Sequence, residues 1–176
     1  MLLIQFTGLS GVGKSTLANG VKKSLTEKGY RTEIIDGDFY RKILCPDLGF
    51  SKADRNENIR RLGFVGNLLA TNGVITILAA INPYENMRKE LSSYGHHVKT
   101  IWINCDLDTL IKRDSKDLYK RALLMDGHPD KINNLTGIND PYEPPPNANL
   151  IITTSVDSEE TSIKVLFDYI VQNLRG

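Results

Sequence analysis

Gly8-Leu9-Ser10-Gly11-Val12-Gly13-Lys14-Ser15 sets glycines, a lysine and a hydroxyl at the spacing GxxxxGK[ST]. Glycines let a backbone curl until successive N–H groups point inward at a phosphate, and a helix starting there adds the positive end of its dipole. On that chemistry Gly8, Ser10, Gly11, Val12, Gly13, Lys14, Ser15 and Thr16 would cradle a nucleoside triphosphate. The Lys14 ammonium would meet the β- and γ-phosphates and the Ser15 hydroxyl a Mg²⁺ ion. At average composition such a pattern starts at on the order of one position in 10⁴ to 10⁵, so chance explains it poorly. The competing reading, an unliganded glycine-rich turn, is disfavoured by the apolar run before it and the amphipathic stretch after it.

A second chemical cluster is Asp36-Gly37-Asp38, at the end of a stretch that alternates through Thr32, Ile34 and Ile35. Ligands of parallel sheets gather at the carboxyl ends of strands. Asp36 there would serve the Mg²⁺ shell and Asp38 would accept or orient the proton of an acceptor hydroxyl. Gly37 between them reads as a bend that brings the backbone close to a substrate. The bland alternative is a plain Asp-Gly turn.

The elements that must position these groups follow from periodicity. Leu17, Val21 and Leu25 predict an amphipathic helix over residues 15 to 28, stopped at Gly29. Ser51 with Asp54 three residues on predicts a capped helix to about Asn72, with an apolar stripe of Ile59, Leu62, Val65, Leu68 and Leu69. Arg55, Asn58 and Arg61 share a neighbouring face of it. Gly73 to Ile81 is nearly unbroken and β-branched, a strand buried on both faces, ending at Asn82-Pro83-Tyr84. A helix follows over Glu85 to Tyr94, then His96 and His97 in a solvent-facing loop, then a strand from Val98 to Asn104. Asp106 caps a short helix to Arg113-Asp114. Residues 115 to 149 are polar, basic and rich in proline and glycine, the character of a mobile lid over phosphates at about 115 to 145. A strand at Leu150–Thr153 and a helix at Ser158–Leu174 close the chain. The order strand, phosphate loop, helix, strand predicts an α/β fold with a parallel five-stranded sheet flanked by helices.

A chain of 176 residues suits a single domain, and 40% hydrophobic with 24% charged residues is ordinary globular composition. A net charge of +1 supplies no field for nucleic acid or a membrane surface. Cys45 and Cys105 have neither disulfide-framework nor zinc spacing, and read as reduced thiols. No leader pattern and no apolar run near ~20 residues is visible, so the expected compartment is the cytoplasm.

Together, GLSGVGKST, DGD at 36–38, LGFS at 48–51, DRNENIRR at 54–61, NPY at 82–84, RDSKDLYKRA at 113–122 and LTGINDPYE at 135–143 resemble the adenylylsulfate kinases over nearly the whole chain. The resemblance implies a P-loop kinase, usually dimeric, that uses MgATP to phosphorylate the 3′-hydroxyl of adenosine 5′-phosphosulfate. It implies Asp36 and Asp38 for metal and substrate hydroxyl, and Arg113 beside the ATP. Arg41, Arg55 and Asn58 would hold the phosphosulfate and sugar side, Phe50 would stack on the base, and Ile81, Asn82 and Leu135 would complete the acceptor pocket. Lys116 would neutralise the phosphate in transfer. Arginine forks match tetrahedral oxyanions and an aromatic face suits a purine.

The chain departs from the family in three places. Asn82 stands where the family usually has serine, so direct in-line transfer is the simpler mechanism. Leu135 replaces a phenylalanine that would close an aromatic sandwich on adenine. The segment Leu123–Lys131 is longer than the family's short basic linker. Some relatives phosphorylate cytidine diphosphoramidate, whose smaller base would need less stacking area; that is the alternative substrate, and a non-catalytic nucleotide-binding module the alternative class.

Overall fold

Two of the five strands are too apolar to lie on a surface. β1 (Leu3–Thr7) and β3 (Ile75–Ala79) are buried at every residue, as strands must be when helices cover both faces of a parallel sheet. With β2 (Thr32–Asp36), β4 (Val98–Asn104) and β5 (Leu150–Thr153) they form one sheet, every pairing parallel, in the order β2-β3-β1-β4-β5. The computed structural model describes residues 1–114 and 116–174. Ser115, the first residue of the expected lid, lies outside the described residues.

Side chains alternate across the strands into two cores. Ile4 and Phe6 of β1 pack with Leu17 and Val21 of α1 (Lys14–Glu27) and Leu166 and Ile170 of α7 (Glu159–Leu174). Leu3 and Leu78 face the other way, onto Ile59 and Leu62 of α3 (Lys52–Thr71) and Leu91 of α4 (Glu85–Ser92). The helices approach closely through glycine. A Cβ on Gly63 would stand 2.2 Å from a Leu91 methyl. Gly63→Ala should therefore lower stability by roughly 1–3 kcal/mol, an overpacking cost readable as a fall in denaturation midpoint.

The remaining helices are α2 (Gly37–Leu44), α5 (Leu107–Arg113) and α6 (Leu118–Ala122). Among the described residues no helix is long and apolar enough to cross a membrane. Ser51 and Asp54 form the expected capping box, and the Asp106 side chain accepts from the Thr109 N–H at 2.8 Å.

Four local expectations are corrected. Gly37 is no bend but the first residue of α2, and a Cβ there would lie 2.9 Å from the Ala80 Cβ, so glycine serves close packing of α2 on the end of β3. Leu68 is 54% exposed, because α3 turns Gly66 and Ala70 to the sheet instead. His97 is only half exposed, and a ring nitrogen lies 2.8 Å from the Asn67 Oδ1. The stretch after residue 115 is partly core, with Tyr119, Ala122 and Leu135 buried.

Candidate active site

The phosphate loop is held in shape before any ligand arrives. Gly8 has no room for a side chain: a Cβ would stand 2.2 Å from the Ile103 carbonyl oxygen. Gly13, with φ of 94°, is the N-cap of α1. The Lys14 ammonium donates to the carbonyls of Gly8 at 2.9 Å and Leu9 at 2.6 Å, closing the loop on itself. The Tyr119 hydroxyl donates to the Ser10 carbonyl at 2.7 Å and the Thr154 hydroxyl to that of Val12 at 3.0 Å, anchoring the outer side. Burial draws the Lys14 ammonium down to about 8; Asp38 opposes this, Lys116 adds to it, and Asp36 opposes it.

At the carboxyl end of β2, Asp36 caps α2. Its Oδ1 accepts from the N–H groups of Asp38 at 3.0 Å and Phe39 at 3.1 Å, while its Oδ2 accepts from the Ser15 hydroxyl at 2.8 Å. That cap sets Asp38 in the first turn of α2, its carboxylate 85% exposed and 3.3 Å from the Lys116 ammonium.

Three clefts adjoin one another through shared lining residues at this edge. The first, about 390 Å³, lies between Gly11, Gly13 and Thr16 on one side and Arg113, Thr154 and Asp157 on the other. The second, about 240 Å³, is lined by Lys14, Ser15, Asp36, Asp38 and Lys116. The third, about 80 Å³, is lined by Asp38, Arg41, Phe50, Arg55, Asn58 and Asn82. The second and third share Asp38, Ala80 and Ile81. Larger clefts of about 560 and 680 Å³ contain none of these groups.

The third cleft is small because its own cations fill it. The guanidinium carbons of Arg41 and Arg55 sit 4.5 and 5.5 Å from the Phe50 ring centroid, a cation–π arrangement. Arg41 also donates to the carbonyl oxygens of Leu48 and Gly49. Arg55 reaches the Asn134 carbonyl at 2.5 Å and lies 3.5 Å from Asp140. Asn58 is buried, and among the described residues its side-chain oxygen has no hydrogen-bond partner, an acceptor left open at the wall of the cleft.

Compared with known proteins, residues 1–153 match the family model described as Adenylylsulphate kinase. The chain belongs to the adenylylsulfate kinase family. It is 43% identical over 160 residues to an adenylyl-sulfate kinase of Rippkaea orientalis, covering 91% of this chain and 86% of that one. It is 45% identical over 157 residues to that of Chloroflexus aurantiacus, covering 89% and 82%. Among solved structures, the Mycobacterium tuberculosis APS kinase CysC in complex with AMPPNP and APS superposes with a TM-score of 0.87 at 36% identity, over 96% of both chains.

Within this adenylylsulfate kinase fold, the expected site residues converge with two exceptions. Leu135 lines none of these clefts; it is 7% exposed, packed into the α1–α7 core, so its exchange for phenylalanine argues for no change of base. The Asn82 side chain is fully buried and donates to the Gln5 Oε1 at 2.9 Å, so its amide nitrogen is held on β1. Arg61 is also elsewhere, its guanidinium held by Asp47 and Glu57. Thr154 and Asp157 join the first cleft without any motif to mark them, their one sequence signal being their place just after the last strand.

Proposed function

We propose that the protein transfers the γ-phosphoryl group of ATP to the 3′-hydroxyl of adenosine 5′-phosphosulfate, giving 3′-phosphoadenosine 5′-phosphosulfate and ADP. The observation that carries this is the meeting of the phosphate cleft with the acceptor cleft at Asp38, Ala80 and Ile81. A phosphoryl group held by Lys14 has a short, direct route to a hydroxyl beside Asp38, which suits in-line displacement. Asn82 has no hydroxyl and is turned onto Gln5, so no residue there takes the phosphoryl group on the way.

ATP lies along the first two clefts, its base side beside Arg113 and its phosphates on the loop and Lys14. The Ser15 hydroxyl and the Asp36 Oδ2, 2.8 Å apart, are hard oxygen donors that fit Mg²⁺. Held by these two residues, Mg²⁺ would supply neutralisation of phosphate charge. Asp38 orients the acceptor hydroxyl and accepts its proton, Lys116 lies over the transferring group, and Arg41 and Arg55 take the phosphosulfate oxyanions. Phe50 offers its face to adenine once the arginines leave it, and the open Asn58 oxygen accepts from the nucleoside. The lid moves over its exposed stretch, where Leu123 is 56% and Met125 85% exposed, between anchors at Tyr119 and Leu135. The functional unit is a homodimer, for which light scattering should return twice the chain mass.

ADP release with MgATP should be saturable with micromolar adenosine 5′-phosphosulfate and absent with cytidine diphosphoramidate; turnover with only the latter overturns the assignment. Metal-free ATP should bind with an affinity that falls as pH rises through about 8, approaching a decade per unit as the Lys14 charge is lost. Isothermal titration in EDTA checks this, and Lys14→Met should abolish the dependence.

A further inference from the structure

We propose that Arg88, which lines neither nucleotide cleft, is a positioning residue for phosphoryl transfer. It holds the floor of the acceptor cleft in register with the phosphate loop. This rests on the reading of the site as a kinase centre.

Arg88 is 2% exposed, in the middle of α4. A buried guanidinium is costly unless its donors are all used. Among the described residues only one carboxylate serves it: Nε donates to Glu85 Oε2 at 3.0 Å and Nη2 lies 2.8 Å from the same oxygen. Its other partners are the Thr7 hydroxyl, 3.5 Å from Nη1, and two backbone carbonyls. Nη1 donates to the Asn82 carbonyl at 2.8 Å and Nη2 to the Glu143 carbonyl at 2.5 Å. A cation that served only to neutralise Glu85 would need neither carbonyl. A planar fork suits two fixed acceptors on separate segments; a lysine ammonium is a point charge.

Each of those segments leads to the site. Asn82 has φ of 44°, a left-handed bend in a non-glycine residue, which surroundings must hold. The bend sets Ile81 and Pro83 along the acceptor cleft. Its carbonyl is also met by the Thr7 hydroxyl at 2.9 Å, which lies equally near the Tyr142 hydroxyl. Thr7 immediately precedes the phosphate loop, and the Gly8 N–H donates to the Ile81 carbonyl at 3.1 Å. On the other side, the Glu143 N–H donates to the Pro83 carbonyl at 2.9 Å and its carboxylate accepts from the Glu85 N–H at 2.7 Å. Nearby, Asp140 accepts from the Tyr84 hydroxyl at 3.2 Å and faces Arg55. Arg88 thus joins donor loop, acceptor floor and the 140–143 segment through the Thr7 hydroxyl and the Asn82 and Glu143 carbonyls. Misplacing reacting groups by about 1 Å costs roughly 10²-fold in rate.

The test compares Arg88→Lys, the charge-free pair Glu85→Gln with Arg88→Met, and Tyr142→Phe, which removes only the hydroxyl at the Thr7 end. Expected is a kcat lower by roughly 10²-fold in the first two and by a smaller factor in the third, with KM for ATP within about threefold of wild type. Amide exchange at Gly8 and Glu143 should accelerate while the amides of α1 stay protected. Wild-type kcat in the folded variants overturns the proposal, as does a kcat loss that merely tracks loss of ATP affinity and folded fraction. If either Arg88 variant fails to fold, Tyr142→Phe decides by the same criteria. Should wild-type protein prove inactive on adenosine 5′-phosphosulfate, the substrate assignment falls, and unchanged exchange at Gly8 and Glu143 in the variants would separately sink the positioning role.

Discussion

Asp38→Asn should lower kcat by roughly 10²- to 10⁴-fold while leaving KM for ATP nearly unchanged, the range expected when a positioned base is lost. The replacement keeps the size of the side chain and its place in the first turn of α2. The helix cap is made by Asp36, so the local fold does not depend on the group being changed. The Asp38 carboxylate is 85% exposed, so no packing is lost either. What disappears is the acceptor for the hydroxyl proton at the one carboxylate that both clefts share. Steady-state kinetics with varied adenosine 5′-phosphosulfate is the check, alongside ATP-analogue binding to show an intact donor site. Turnover at the wild-type rate would remove Asp38 from the chemistry.

Lys14→Met should reduce kcat/KM for ATP by roughly 10²- to 10³-fold, because the lost charge faces the oxygens on which negative charge is stabilised in transfer. The structure adds an effect on stability with a definite sign. In the folded chain burial brings the Lys14 ammonium down to about 8, against 10.5 for an ordinary lysine. Between those pH values the unfolded chain binds the extra proton, so folding stability contributed by this group rises with pH across the window and is lowest below 8. Denaturant midpoints of the nucleotide-free protein should carry that rise, and Lys14→Met should flatten it. An unchanged slope would show that the ammonium is not held in the desolvated position. The two variants separate cleanly: one impairs the acceptor side with ATP binding intact, the other impairs ATP binding itself.

Much of the fold was legible because it rests on short-range rules. The strands at Val98–Asn104 and Leu150–Thr153, the capping box at Ser51 and Asp54, and the stop at Gly29 depend on period and cap chemistry within a few residues. The phosphate loop depends on backbone conformations that its own glycines permit. Leu68 and Gly37 depart from the local pattern for the opposite reason. Which apolar face of α3 is buried is decided by where Gly63 and Gly66 let α4 and the sheet approach. Gly37 serves contact with Ala80, a residue more than forty positions away in sequence.

The sequence by itself determined the chemistry on offer: a phosphate-binding loop, the Asp36 and Asp38 carboxylates, and arginines with an aromatic near them. Those assignments are local, since residue type and spacing decide what a loop or a helix turn can bind. Only the tertiary structure decided which groups share a cleft. It put Leu135 in the core, turned Asn82 onto Gln5, brought Thr154 and Asp157 beside Arg113, and made Arg88 the link between segments that begin at Thr7, Asn82 and Asp140. The physical reason is that side-chain direction and long-range hydrogen bonding follow from the sheet order β2-β3-β1-β4-β5, which places distant strand ends along one edge.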